Sequence, residues 1–569
     1  MRVRREGTEQ GEKSMKTAIR LASGVLTLSG AALLAGPATA HFYYPHPRGT
    51  LSRIDPDKPL RHVGRYEAPF VARKPTISGT WADVTAALPF THGPWAPQQM
   101  TDGSVVIQDF CSSNWYRLAP DNKGSYANGT WSQIASMPSG YQPLFFATQI
   151  LPSGQMVVNG GEYNGEGVGN CEEGWYNLGA IYDPVANSWT AVAPPAGWAM
   201  IGDAESIILP NGSYMLANCC DYPAQQAIAS IGSNDVVTWT TGSSYSCATG
   251  DFCNDEQGYT ALPGGNVFMV DVWDYGSNSD DVEIYNTATG IWSLAGQTAD
   301  RVSDSTNFEL GPSPLTPRYG SQGTIIQFSG ASDGSLTPVN DVYDVASNTW
   351  RSGPVTTYEG TDYDYADAPA ATLPDGNILV QGSPGYGNAP SHFWEFHIGK
   401  LGKVKATQVS DPAEAPNTSS FEGNLLVLPT GQVLWDNSQT TPNEVAIYSP
   451  QGKVMAEWRP VISSVESSLA VGSTGNAISG TNFNGFDLGG VYGDDAQAAT
   501  NFPLVRISNG ATGDICYARS YDFSTMGVWT SGTTNAVFDI PAGCETGKSK
   551  LQVIVNGIAS TAVRVTLHS

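Results

Sequence analysis

LPDGNILVQG (373–382), LPSGQMVVNGG (151–161), LPNGSYMLANC (209–219), LPGGNVFMVDV (262–272) and LPTGQVLWDN (428–437) are five forms of one phrase. In each, a Pro/Asp/Asn/Ser–Gly turn separates two apolar runs, which is the signature of a β-hairpin. MTDGSVVIQD (100–109) and the degenerate QGTIIQFSG (322–330) raise the count to seven. The turn glycines are Gly103, Gly154, Gly212, Gly265, Gly323, Gly376 and Gly431, with spacings of 51, 58, 53, 58, 53 and 55 residues. Between hairpins runs a second phrase ending in tryptophan: IYDPVANSW at Trp189, IYNTATGIW at Trp292 and VYDVASNTW at Trp350, with Trp131 and Trp239 in equivalent places. Hairpin plus phrase supplies four strands per period. Units of this size bury their faces only against neighbours, so seven of them predict an all-β, seven-bladed propeller over 79–460.

Outward from the repeat, Trp81 and Trp458 flank the hairpins, so strands from either end are candidates to close the ring. After Pro460 the period stops, and AVGSTGNAISGTNF, FPLVRIS and LQVIVNGIASTAVRVTLHS predict a separate immunoglobulin-like β-sandwich over 461–569. Residues 41–78 are basic and proline-scattered, and are expected to form an extended arm on the acidic body. At the start, Lys16 and Arg20 precede the apolar stretch from Leu21 to Leu34 and the small-residue site Ala38-Thr39-Ala40. This predicts a signal peptide over 1–40, with Met15 a more natural start than Met1. The protein is therefore expected to be secreted or periplasmic, with no membrane span after cleavage.

Composition agrees with many short strands: the 569 residues include 63 Gly, 37 Pro, 15 Trp and 25 Tyr, and 14% are charged. Without residues 1–40, 22 basic residues face 50 acidic ones, which argues against a nucleic-acid partner. All eight cysteines (Cys111, Cys171, Cys219, Cys220, Cys247, Cys253, Cys516, Cys544) lie beyond the cleavage site and predict disulfides. Cys516 and Cys544 are expected to pair within the C-terminal domain, and Cys247 with Cys253 is a candidate local loop.

The period near that of kelch repeats, the hairpin ending in Gly160-Gly161, the YDP…W phrases and the C-terminal YGDDAQ…NFPLVRI…STMGV…VNGIAS pattern resemble the galactose oxidase and glyoxal oxidase superfamily over about residues 80–569. That resemblance implies the propeller-plus-sandwich fold, and it implies a copper held by two histidines and two tyrosines, one crosslinked to cysteine. Position by position, the Tyr-His pair is replaced by Phe421 and Glu422. The loop histidine maps near 519–524, where Phe523 stands, and the crosslinked tyrosine and its cysteine map to Phe145 and Pro94. Phenylalanine cannot ligate copper and glutamate is a hard oxygen donor, so a copper-radical cofactor is not expected.

Nine residues before the turn glycine, at the start of the innermost strand, stand Asp203, Glu256, Asp367 and Glu422, with Glu309 as the counterpart in the irregular fifth unit. Innermost strands begin at one mouth of a propeller, so these five carboxylates are the candidate site. Calcium, Arg318 or the basic arm could offset their repulsion. Tyr141, Trp198, Tyr259, Trp273 and Tyr365 are candidate stacking surfaces. The expected function is binding of an extracellular glycan or cell-surface polymer at this acidic mouth. The alternative is a divergent carbohydrate-active enzyme, or an oxidase with non-standard metal ligands. His41 and His46 read as coincidental near the new N-terminus, and His392 and His397 as structural.

Overall fold

The computed structural model describes residues 70–71 and 79–569, except 168–169, 220–223, 233–234, 246–253, 276–278, 305–308, 331–335, 439–441 and 494. The expected signal segment, His41, His46, most of the arm, and Cys220, Cys247 and Cys253 lie outside the described residues. From the arm, Phe70–Val71 pairs in parallel with Thr356–Thr357.

The described chain is nearly all β, with four short 3-10 turns. Seven antiparallel sheets follow one another. Each opens with one of the seven hairpins, and all seven turn glycines hold φ between 78° and 89°. A side chain is disfavoured there, so the glycine fixes where each hairpin reverses. The first sheet runs from Pro94–Gln99 to Thr130–Gln133, the second from Ala147–Ile150 to Ser188–Ala191, and the third from Ser206–Ile208 to Val237–Thr241. The fourth runs from Thr260–Ala261 to Ile291–Gln297, the fifth from Leu315–Thr316 to Thr349–Ser352, and the sixth from Ala370–Thr372 to Val404–Gln408.

The seventh sheet has Gly423–Val427, Val433–Asn437 and Val445–Pro450 from the chain in sequence. Its outermost strand is Gly79–Asp83, from the other end, with Gly79 opposite Pro450 and Asp83 opposite Ala446. The start of the chain thus supplies the closing strand. Trp458, the other flanking tryptophan, sits in a 3-10 turn beneath Arg318. Innermost strands of the seventh and first sheets lie side by side, as do those of the sixth and seventh.

Beyond the seven sheets, Val461–Val465 begins a nine-stranded set. Its strand Ile515–Tyr521 pairs Leu504–Asn509 through Ile515 to Ala518, and pairs Thr534–Asp539 through Arg519 to Tyr521. One strand therefore joins two groups. This set packs on the hairpin-turn end of the seven sheets: Ser520 N donates to Thr101 O (3.2 Å), Arg519 Nη2 to Ser153 O (2.9 Å) and Met526 N to Pro210 O (3.1 Å). Disulfides join Cys111 to Cys171 and Cys516 to Cys544, the latter as the sequence predicts, and Cys219 is disulfide-bonded too. Among the described residues no helix is long and apolar enough to cross a membrane.

One loop of the C-terminal set leaves its own layer. Gly490–Val491 adds a fifth strand to the sixth sheet, Val491 opposite Ala370, and Thr372 N donates to Gly489 O (2.7 Å). Further along, Tyr492 Oη donates to Phe421 O (2.8 Å), and Gln98 Nε2 donates to Gln497 O (2.8 Å). Residues 489–493 and 495–497 thus touch innermost strands of the first, sixth and seventh sheets, running from the turn end toward the opposite end.

Candidate functional site

The residue nine positions before the turn glycine stands in the left-handed region in three sheets: Phe145 at φ 49°, Glu256 at φ 66° and Asp367 at φ 46°. Each such residue costs roughly 1–3 kcal/mol and persists only where its surroundings hold it. The bend takes the side chain out of the two-faced alternation of the strand that follows. Glu256 precedes the innermost strand of the fourth sheet and Asp367 that of the sixth.

Carboxylate oxygens of Glu256, Glu309 and Asp367 lie within 4.8 Å of one another. Glu309 stands 14 residues before Gly323 rather than nine, in the segment leading to the fifth sheet, and the longer entry still brings it to the other two. Glu309 and Asp367 are each 1% exposed and Glu256 is 7% exposed. Burial pushes the Glu309 carboxyl well above the usual carboxylate range, and the charges of Asp367 and Asp304 push it the same way. Glu309 Oε2 is buried and has no hydrogen-bond partner among the described residues. Tyr386 is the phenol beside the cluster: burial raises its pKa, and Glu309, Asp367 and Glu256 add to the rise. The loop from the C-terminal set meets the group too, because a Cβ on Gly493 would lie 3.1 Å from Asp367 Cα and 3.2 Å from Leu310 O.

The other two sequence candidates go elsewhere. Asp203 groups with Asp255 and Cys219. The Cys219 sulfur is tied up in a disulfide and offers no thiolate, so this group reduces to two carboxylates. Glu422 closes a capping box, its Oε2 accepting from Ser419 N (2.7 Å) and Ser419 Oγ (3.0 Å). Arg318 is not at the carboxylates either. Its Nε donates to Asp375 O (2.6 Å) beside the turn glycine Gly376, at the opposite end of the sixth sheet.

The candidate stacking surfaces divide. Tyr141, Tyr259 and Tyr365 are core residues, at most 3% exposed, and Tyr141 Oη donates to Gly160 O (3.0 Å). Trp198 and Trp273 are half-buried against the core. Large rings at strand entries are recruited to fill space between adjacent sheets, and that is where these three tyrosines went. His392 is structural as expected, with Nδ1 2.7 Å from Asp411 Oδ2 and its ring against Tyr358.

The positions that the resemblance would give to copper ligands are otherwise engaged. Phe145 packs its ring on Trp95 (5.1 Å), Phe421 packs near Tyr386 (6.0 Å), and Glu422 is engaged as a cap. Phe523 is stacked on Phe502, and its neighbours Thr525 and Met526 bond Pro210 at the turn end. The C-terminal loop that does reach the carboxylates is that of residues 489–493 and 495–497, not 519–524 as counted from sequence. Among the described residues no histidine joins the carboxylate group.

Sequence reasoning missed Tyr386 and the inserted loop. Tyr386 lies in GSPGYGNAP, between the second and third strands of its sheet, where loop length varies and no register exists. The loop's YGDDAQ had a visible signal in two acids and a glutamine between two strand-like runs.

No protein-family model matches the chain, and no curated protein matches it. Among solved structures it is similar to a fungal alcohol oxidase of the AA5 family in complex with copper, at 13% identity and a TM-score of 0.48, covering 86% of this chain and 100% of that one. It is also similar to the extracellular domain of a protein described as a hybrid two component system from B. thetaiotaomicron, at 8% identity and a TM-score of 0.43, covering 87% of this chain. The chain spans 60% of that structure's length. A third, luciferin-regenerating enzyme, gives 9% identity and a TM-score of 0.31 over 66% of this chain and 98% of that one.

Proposed function

We propose that the seven sheets are the blades of one closed kelch-like propeller, that the C-terminal set is an immunoglobulin-like sandwich covering its turn end, and that this exported protein binds a glycan or cell-surface polymer at the opposite, carboxylate-bearing mouth. Seven hairpins in sequence, closure of the last sheet by Gly79–Asp83, and adjacency of the seventh and first innermost strands support the ring. Two disulfides suit an oxidising compartment.

The observation that carries the binding reading is the meeting of Glu256, Glu309 and Asp367, each from a segment leading into a different sheet, at the end opposite the hairpin turns. Carboxylates are the strongest uncharged-ligand acceptors a protein has, and hydroxyl-rich polymers are dense in donors. The test is binding to an array of extracellular polysaccharides by the wild type and by Glu256→Gln with Asp367→Asn. The expected outcome is at least tenfold weaker binding by the variant with unchanged circular dichroism, and undiminished binding refutes the reading.

A second reading has one observation in its favour. Glu309, with its raised pKa, sits beside two further carboxyls, and an acid–base pair is what glycoside chemistry needs. Release of reducing ends from a bound polymer, abolished in Glu309→Gln, would replace binding by hydrolysis.

A further inference from the structure

We propose that Glu256, Glu309 and Asp367 together hold one hard divalent cation, calcium in the first instance, and that the polymer is bound through that ion. This deepens the reading of the carboxylate end as the binding mouth and rests on it for the polymer, though not for the ion.

Spacing comes first. Oxygens each about 2.3–2.6 Å from a shared calcium lie no more than about 5 Å apart, and these three carboxylates place oxygens within 4.8 Å of one another. Second, the Glu309 carboxyl hydrogen-bonds Glu256 and Asp367 and belongs to that convergence, while its Oε2 is buried with no partner of its own among the described residues. Leaving such an atom unsatisfied costs about 1–3 kcal/mol, more if charged, and an ion at the centre removes the cost.

Third, donor chemistry selects the ion. The set is oxygen only, and no described histidine or cysteine joins it. Oxygen sets suit calcium, magnesium or manganese, while copper and zinc favour imidazole and thiolate. Calcium takes six to eight oxygens, and three carboxylates supply between three and six. The open positions are where paired hydroxyls or carboxylates of a polymer would enter.

The experiment uses the full mature chain, stripped with a chelator, with calcium titrated calorimetrically in the absence of any polymer. One ion per chain is expected, with an affinity in the range of about 10⁻⁶–10⁻³ M. Glu309→Gln and Asp367→Asn, each checked for folding by circular dichroism, should each weaken binding at least tenfold. A wild type that takes up no calcium, magnesium or manganese at millimolar concentration overturns the proposal, and so does uptake unaltered in both variants. An infrared band of a protonated carboxyl in the calcium-saturated wild type, absent in Glu309→Gln, also overturns it, because the three groups would then share a proton instead. Ion uptake without polymer binding sinks only the polymer reading, and polymer binding that survives the chelator sinks only the ion.

Discussion

Asp436 and Asp364 show how far this fold shifts acids that take no part in the site. Asp436 is wholly buried on the second strand of the seventh sheet, and burial raises its pKa to about 8 against bonds from Asn424. Asp364 is raised to about 8 as well, by burial first and by the charge of Asp304 last. In the unfolded chain both titrate near 4. Between those values the native state holds more protons than the unfolded one, so their stabilising contribution is full below about pH 4 and is lost as pH rises through about 8. Melting temperature should therefore fall between pH 6 and pH 9, and the fall should shrink in the Asp364→Asn, Asp436→Asn double variant. An identical pH slope in wild type and variant would show that these acids are ionised in the native protein.

Among the site residues, Glu256 and Asp367 could be read from sequence because the turn glycine supplies a fixed origin and the strand a fixed rise. Position nine then has the same structural meaning in the fourth and sixth sheets, where Glu256 and Asp367 both stand in the left-handed region. Glu422 occupies the same position yet is a cap, since Ser419 three residues earlier offers it a local partner. Register says where a residue starts; local hydrogen bonding decides where its side chain goes.

A recurring element is a tryptophan on the outermost strand that ties the second, third and fourth sheets each to the one before. Trp189 Nε1 donates to Ala135 O (2.8 Å), Trp239 Nε1 to Ala193 O (2.8 Å) and Trp292 Nε1 to Gln226 Oε1 (3.0 Å). In the closing strand Trp81 plays the same part, donating to Ser410 O (2.6 Å) with its ring 5.1 Å from Phe393 and 5.0 Å from Tyr448. Trp81→Ala should cost about 3–5 kcal/mol, whereas Trp81→Phe, keeping most of the ring contact, should cost about 1–2 kcal/mol. Guanidinium unfolding monitored by fluorescence separates the two, and equal costs would mean that the ring contributes nothing beyond its hydrogen bond. The tryptophan phrase was legible for the inner repeats, where Tyr182, Tyr285 and Tyr343 pack on Trp189, Trp292 and Trp350. Which terminus closes the last sheet was not, because both ends carry a tryptophan and pairing across the whole chain leaves no local trace.

At the scale of the molecule, the C-terminal layer does two things at once: it covers the turn end and sends residues 489–493 and 495–497 to the far end. Gly493 is where the loop meets the carboxylates, and Gly258 has room there only because it lacks a side chain, with its missing Cβ 2.4 Å from Gly493 O. Gly493→Val should therefore destabilise the protein by about 1–3 kcal/mol through overpacking against Asp367 and Leu310. Thermal unfolding checks this, and a melting temperature equal to the wild type's would show that the loop does not seat against the carboxylates.

The pairing of Gly79–Asp83 with Val445–Pro450 also governs the order of events in folding. These two strands come from opposite ends of the seven-sheet segment, so their contact is among the most distant in sequence that the fold makes, and closing so long a loop is entropically delayed until nearly everything between is in place. Six sheets can form from neighbours as the chain emerges. The seventh has to wait with an unpaired edge, and that edge is where a partly folded molecule would join another copy instead of itself.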